Sequence, residues 1–155
     1  MEKVYRAMLT YQKENNITQR CITNALYFKD CLNANGQEAT VRAVLARWIN
    51  QEQQGYQICV HMVVDIGNNR LIDPSYEITS LKGVEYLEKI HLAYPKELMN
   101  CPTQGLTQRE CIEKFLEFLA IAKRINGGEN LSTGLEYYHA QADYVERVVS
   151  TDTHI

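Results

Sequence analysis

Three side chains, Cys21, His61 and Asp73, have the types and local settings that covalent acyl transfer requires. A thiol attacks a carbonyl only as its thiolate, and the first turn of a helix favours that anion through its free backbone N–H groups and the helix dipole. Cys21 opens such a turn. Asn15-Asn16-Ile17 ends an earlier pattern, Thr18 is a candidate N-cap, and Cys21, Ala25, Phe28 and Leu32 then recur at helical spacing. The same N–H groups are suited to holding the oxyanion of a tetrahedral intermediate. Cys31 falls mid-helix and lacks this setting. An activated thiolate also needs an imidazole within hydrogen-bond reach, held through its other ring nitrogen by a third group. His61 sits in a run, residues 56–66, that is apolar on nearly both faces, and Asp73 follows one turn later. If Gly67-Asn68-Asn69 is a three-residue loop, Ile66 faces Arg70 and Val63 faces Asp73, so Asp73 lies diagonal to His61 on one sheet face. A two-residue loop would put it on the opposite face.

The elements that must position these groups can be read from periodicity. Residues 4–14 place Val4, Met8 and Tyr11 along one side of a helix, and the helix carrying Cys21 ends at Asn35-Gly36. Residues 38–49 read as a strand through Val41, Ala43 and Leu45, residues 51–55 as a polar loop, and residues 56–66 as a central strand. A short return strand at residues 70–72 ends at Asp73-Pro74, because proline cannot donate to a ladder. Beyond Tyr76 the spacing of Val84, Leu87, Ile90 and His91 predicts a short helical segment stopping near Pro95. Thr107-Gln108-Arg109-Glu110 is a capping box for a helix that runs to Gly127-Gly128. A last helix over residues 133–149 points Leu135, Tyr138, Ala142, Val145 and Val149 inward, with Tyr137 and Tyr144 at the core or its edge. His91, His139 and His154 fall on predicted helices or the tail and have no acid placed across a sheet.

At 155 residues and 45% hydrophobic, the chain has the size and apolar content of one packed α+β domain, spanning residues 1–155, without need of staples. A net charge of -3 lacks the basic excess of a phosphate-backbone binder, which argues against nucleic acid as a partner. The five cysteines are an odd number with no CxxC pair and no metal-type spacing, so neither a disulfide scaffold nor a zinc site is expected. The first residues, Met1 to Arg6, open with charges, and no run approaches roughly 18 apolar residues. A cytoplasmic location without a membrane partner is therefore expected. The chemistry read from Cys21 calls for no cofactor.

Residues 21–28, His61-Met62-Val63-Val64 and Leu71-Ile72-Asp73-Pro74-Ser75 together resemble the transglutaminase-like branch of the papain-like cysteine enzymes. In that superfamily a cysteine begins a helix, a histidine lies on the next central strand and an aspartate on the strand after. The core is also similar to that of the arylamine N-acetyltransferases, whose Cys-x-x-x-Asn helix start finds its nearest counterpart in Asn24, one residue earlier. The match covers about residues 18–77 and leaves the C-terminal half outside it. The resemblance implies a nucleophile helix packed on a small antiparallel sheet, with further C-terminal helices. It implies a peptide, protein or small amide or ester as substrate, with Cys21 as nucleophile, His61 as base and Asp73 as the group orienting it. A glutamine a few residues before the cysteine assists the oxyanion in papain-like enzymes, which makes Gln19 and Asn15 candidates beside Asn24. Hydrolysis of a peptide or amide bond is the first expectation. Transfer to an amine, and a non-catalytic protein-binding module on the same core, are the rivals.

Overall fold

β-Branched and small apolar residues are frequent in residues 40–50 and 55–65, and these two stretches form the centre of the sheet. In the computed structural model, which describes residues 1–50, 55–68, 70–87, 120, 124 and 134–152, strands β1 (Thr40–Asn50) and β2 (Gly55–Asp65) pair antiparallel along their whole length. Thr40 lies opposite Asp65 and Asn50 opposite Gly55. The chain then reverses between Ile66 and Arg70: the Ile66 N–H donates to the Arg70 carbonyl at 3.0 Å, and β3 (Leu71–Ile72) pairs Ile72 with Val64. Gly67 takes φ +94°, a value its missing Cβ makes cheap.

One expectation is corrected after β3. A single helical turn, α3 (Tyr76–Thr79), is followed by a strand, β4 (Glu85–Leu87), where helical spacing of Val84 and Leu87 predicts a helix. Gly83 at φ +70° breaks the turn, and the free edge of β1 supplies the backbone partners that so short a helix could not find within itself. The sheet order is β3-β2-β1-β4. The rest of the expected segment near Pro95 and the polar loop at residues 51–54 lie outside the described residues. So does the helix expected from Thr107, apart from Ala120 and Arg124, which are helical.

Among the described residues three long helices accompany the sheet in an α+β arrangement: α1 (Glu2–Glu14), α2 (Cys21–Ala34) and α4 (Leu135–Asp152). Val4, Ala7 and Met8 of α1, Ala25, Phe28 and Leu32 of α2, and Ala142 and Val145 of α4 form one core with Val41, Ala43, Met62 and Val64 of the sheet. Val44, Ala46 and Val63, which face the other way from β1 and β2, are completely buried as well. The central pair is thus apolar on both sides, as near-continuous hydrophobic runs require. Leu135, expected in the inward stripe, is instead 54% exposed at the first position of α4, and the buried stripe begins at Gln141 and Ala142.

Gly134 sets how closely α4 approaches α2. It accepts the Tyr138 N–H at 2.8 Å with φ +95°, and a Cβ built on it would meet Thr23 Oγ1 at 2.7 Å. Gly134→Ala is expected to destabilise the fold by about 1–3 kcal/mol, since it combines a left-handed strain with a clash. Urea unfolding checks this, and an unchanged midpoint would contradict it.

Candidate active site

Helix α2 starts at Cys21. The first bond of its ladder runs from the Asn24 N–H to the Arg20 carbonyl at 2.9 Å, which leaves the N–H groups of Cys21, Ile22 and Thr23 ahead of the helical pairing. Arg20, not Thr18, occupies the N-cap, without a side-chain cap bond. The cause is a tight turn before the helix. Gln19 adopts φ +59°, and its N–H donates to Glu77 Oε2 at 2.9 Å, so the helix begins two residues later than a Thr18 cap would start it. The shift moves Cys21 to the first helical position, where the field of the free N–H groups is strongest.

His61 lies in the middle of β2, opposite Val44, and is 3% exposed. The ladder that pairs Ile72 with Val64 carries Asp73 to the position beside Val63, so both groups share one face. The three-residue turn on which this geometry depends is the one present. His61 Nε2 donates to Asp73 Oδ1 at 2.9 Å, a carboxylate having only acceptors to offer. The same oxygen accepts the Ser75 N–H at 3.0 Å, and Oδ2 accepts the Tyr86 hydroxyl at 2.6 Å.

With Nε2 engaged, Nδ1 is the ring nitrogen that Asp73 leaves open, and the nearby Cys21 raises the affinity of the imidazole for a proton. Burial works against a charged imidazole here. The hydrogen bonds from Asp73 and Cys21 and their electrostatic pull outweigh it and push His61 up to about 9. Cys59, on the same face of β2 as His61, is pushed up to about 12, first by burial and then by the neighbouring Cys21, Glu77 and Asp73. Cys31 is pushed up by burial too, so at neutral pH both are thiols and not thiolates.

The remaining candidates lie as follows. The Asn15 side chain donates to the Tyr11 carbonyl at 2.8 Å and closes the end of α1. Gln19 is exposed and contributes its backbone N–H to the Glu77 contact. Asn24 is buried in a polar network: its Nδ2 donates to Ser75 Oγ at 3.1 Å, and its Oδ1 accepts the Tyr137 hydroxyl at 2.6 Å and Gln141 Nε2 at 3.3 Å. His139 is exposed on α4, while His91 and His154 lie outside the described residues.

That network contains residues that no catalytic motif marks. Gln12, only 1% exposed, donates to the Pro74 carbonyl at 2.7 Å and to Gln141 Oε1 at 2.9 Å, and accepts the Tyr76 N–H at 2.8 Å. The segment 73–76 is therefore held from α1 through Gln12 and from α2 through Asn24, and α4 in turn holds those two side chains. Gln12 stands four residues after Met8, and Gln141 stands directly before Ala142, so each is an amide on an otherwise apolar stripe. That signal is legible in the sequence. Tyr86 carries none, because its place depends on the β4 pairing.

No family model, no curated protein and no solved structure matches the chain. Among the described residues no helix is long and apolar enough to cross a membrane, and no three His, Cys, Asp or Glu side chains are grouped to hold a metal ion.

An unfolded histidine titrates near 6.5, so the folded protein binds the His61 proton more tightly. The resulting stabilisation is complete below about pH 6.5 and is lost as pH rises through about 9, an effect of about 3 kcal/mol. NMR titration of the imidazole, with urea unfolding at the two ends of that range, measures it. Asp73→Asn should lower the His61 titration and flatten this dependence, since it removes the charge that holds the proton.

Proposed function

We propose that this chain is a cysteine-dependent acyl-transfer enzyme that hydrolyses a peptide or amide bond through Cys21, His61 and Asp73, on a transglutaminase-like variant of the papain-like core. The observation that carries the reading is the His61 imidazole, buried and bonded through Nε2 to Asp73, with a helix-opening cysteine close enough to help hold its proton. An imidazolium beside a thiol at a helix start favours the thiolate over the neutral pair.

In this mechanism Cys21 Sγ attacks the carbonyl carbon and the carbonyl π electrons move to oxygen. The N–H groups of the first turn of α2 stabilise that oxyanion. As it collapses, the C–N bond breaks and the His61 Nδ1 proton passes to the leaving amine. A water then gives its proton to Nδ1 and attacks the thioester, the C–S bond breaks, and the acid leaves. Asp73 keeps the imidazole in the tautomer and orientation both steps need. Hydrolysis is preferred to transfer because water requires no second binding site.

Iodoacetamide at neutral pH should label Cys21 faster than Cys31 or Cys59, and p-nitrophenyl acetate should leave an acetyl group on Cys21 detectable by mass spectrometry. Cys21→Ala should abolish both, and His61→Gln should slow acylation by about a thousandfold. Equal labelling of all the cysteines, with no acyl adduct, would sink the proposal.

A further inference from the structure

The carboxylate of Asp73 is clamped from a direction that the three-residue site does not account for. Tyr86 lies on β4, at the sheet edge opposite β3. Directly across from it on β1 is Ala46, completely buried and small enough to let a phenol lie across the sheet, and beyond Ala46 is Cys59 on β2. The ring runs over this gap and reaches the far side: its hydroxyl donates to Asp73 Oδ2 at 2.6 Å, and its plane lies 26° from that of the His61 imidazole, with centroids 6.5 Å apart.

We propose that Tyr86 is a positioning residue for the Asp73–His61 pair, fixing the carboxylate so that Oδ1 faces Nε2 and the imidazole turns Nδ1 toward Cys21. The inference rests on the acyl-transfer reading for its use, but not for its geometry. A carboxylate on the three-residue segment between β3 and a single helical turn can rotate about χ1 and χ2. The Ser75 N–H and His61 both bind Oδ1, so Tyr86 is the group that holds the other oxygen. A charged acceptor makes this hydrogen bond a strong one. Burial raises the Tyr86 phenol well above the usual tyrosine range, as do the charge and hydrogen bond of Asp73, so the hydroxyl keeps its proton and stays a donor.

Tyr86→Phe removes the hydroxyl and keeps the ring. Two readouts separate positioning from packing. The first is solvent exchange of the His61 Nε2 proton, followed by NMR; it is expected to accelerate about tenfold in Tyr86→Phe while circular dichroism shows the parent's fold retained and the thermal midpoint falls by only the few degrees that loss of one hydrogen bond to a buried charge implies. The second is the pH profile of Cys21 alkylation by iodoacetamide, with a rate about tenfold lower near neutral pH in Tyr86→Phe and no further loss when the change is made in an Asp73→Asn background. Unaltered exchange of the Nε2 proton, or losses that simply add in the double variant, would overturn the role. The exchange measurement does not involve the thiol. A protein whose Nε2 proton responds to Tyr86→Phe but whose Cys21 takes up no acyl group would keep the role of Tyr86 and lose the acyl-transfer reading.

Discussion

A buried carboxylate bonded to a buried imidazole governs this structure. Removing either ion from water without a partner is unfavourable by several kcal/mol, and the pair tolerates burial only because its hydrogen-bonding capacity is filled. Asp73 receives donors from three separate places: His61 on β2, the backbone of Ser75, and Tyr86 on β4. Each must arrive from its own element with correct register. The sheet's strand order, the length of the turn at residues 67–69 and the strand conformation of residues 85–87 are therefore all conditions on one ion pair.

The helices meet a second condition, that the short segment carrying Asp73 be held rigid without regular pairing. Pro74 cannot donate to a ladder, and the segment is anchored by side-chain amides instead. Gln12 takes the Pro74 carbonyl and the Tyr76 N–H, Asn24 takes Ser75, and Gln141 and Tyr137 of α4 complete the network from the C-terminal side. Amides buried in an apolar core are stable only when satisfied, and here both ends of the Gln12 and Asn24 side chains have partners. The arrangement lets the C-terminal helix act on the loop that carries Asp73 through Gln12 and Asn24, although helix and loop are about 60 residues apart in the chain. The start of α2 is tied in the same way: Glu77, four residues past Asp73, accepts the Gln19 N–H in the turn that sets the first helical residue at Cys21.

How much of this was legible in the sequence depends on the range over which each feature is determined. Helix periodicity in α1, α2 and α4, the alternation of β1 and the apolar run of β2 are local, and they were readable to within a few residues. The diagonal relation of His61 and Asp73 was readable as a condition, because a period of two makes the answer depend on whether the turn has two or three residues. The strand at residues 85–87 was not readable. Val84 and Leu87 fit a helical spacing, and a three-residue strand exists only because β1 has an open edge to pair with. The cap at Arg20 was missed for a related reason, since a carboxylate 58 positions away from Gln19 holds the turn that delays the helix.

The sequence by itself determined which residue types bear chemistry, which helix the thiol opens and which strand holds the imidazole, since propensity and periodicity act over neighbouring residues. Only the tertiary structure decided that Asp73 faces His61, that Tyr86 closes on the second carboxylate oxygen, and that Gln12 and Asn24, themselves bonded to Gln141, brace the loop. Those contacts are made across strands and helices, and the register and packing that create them are properties of the assembled sheet and core, not of any local stretch of chain.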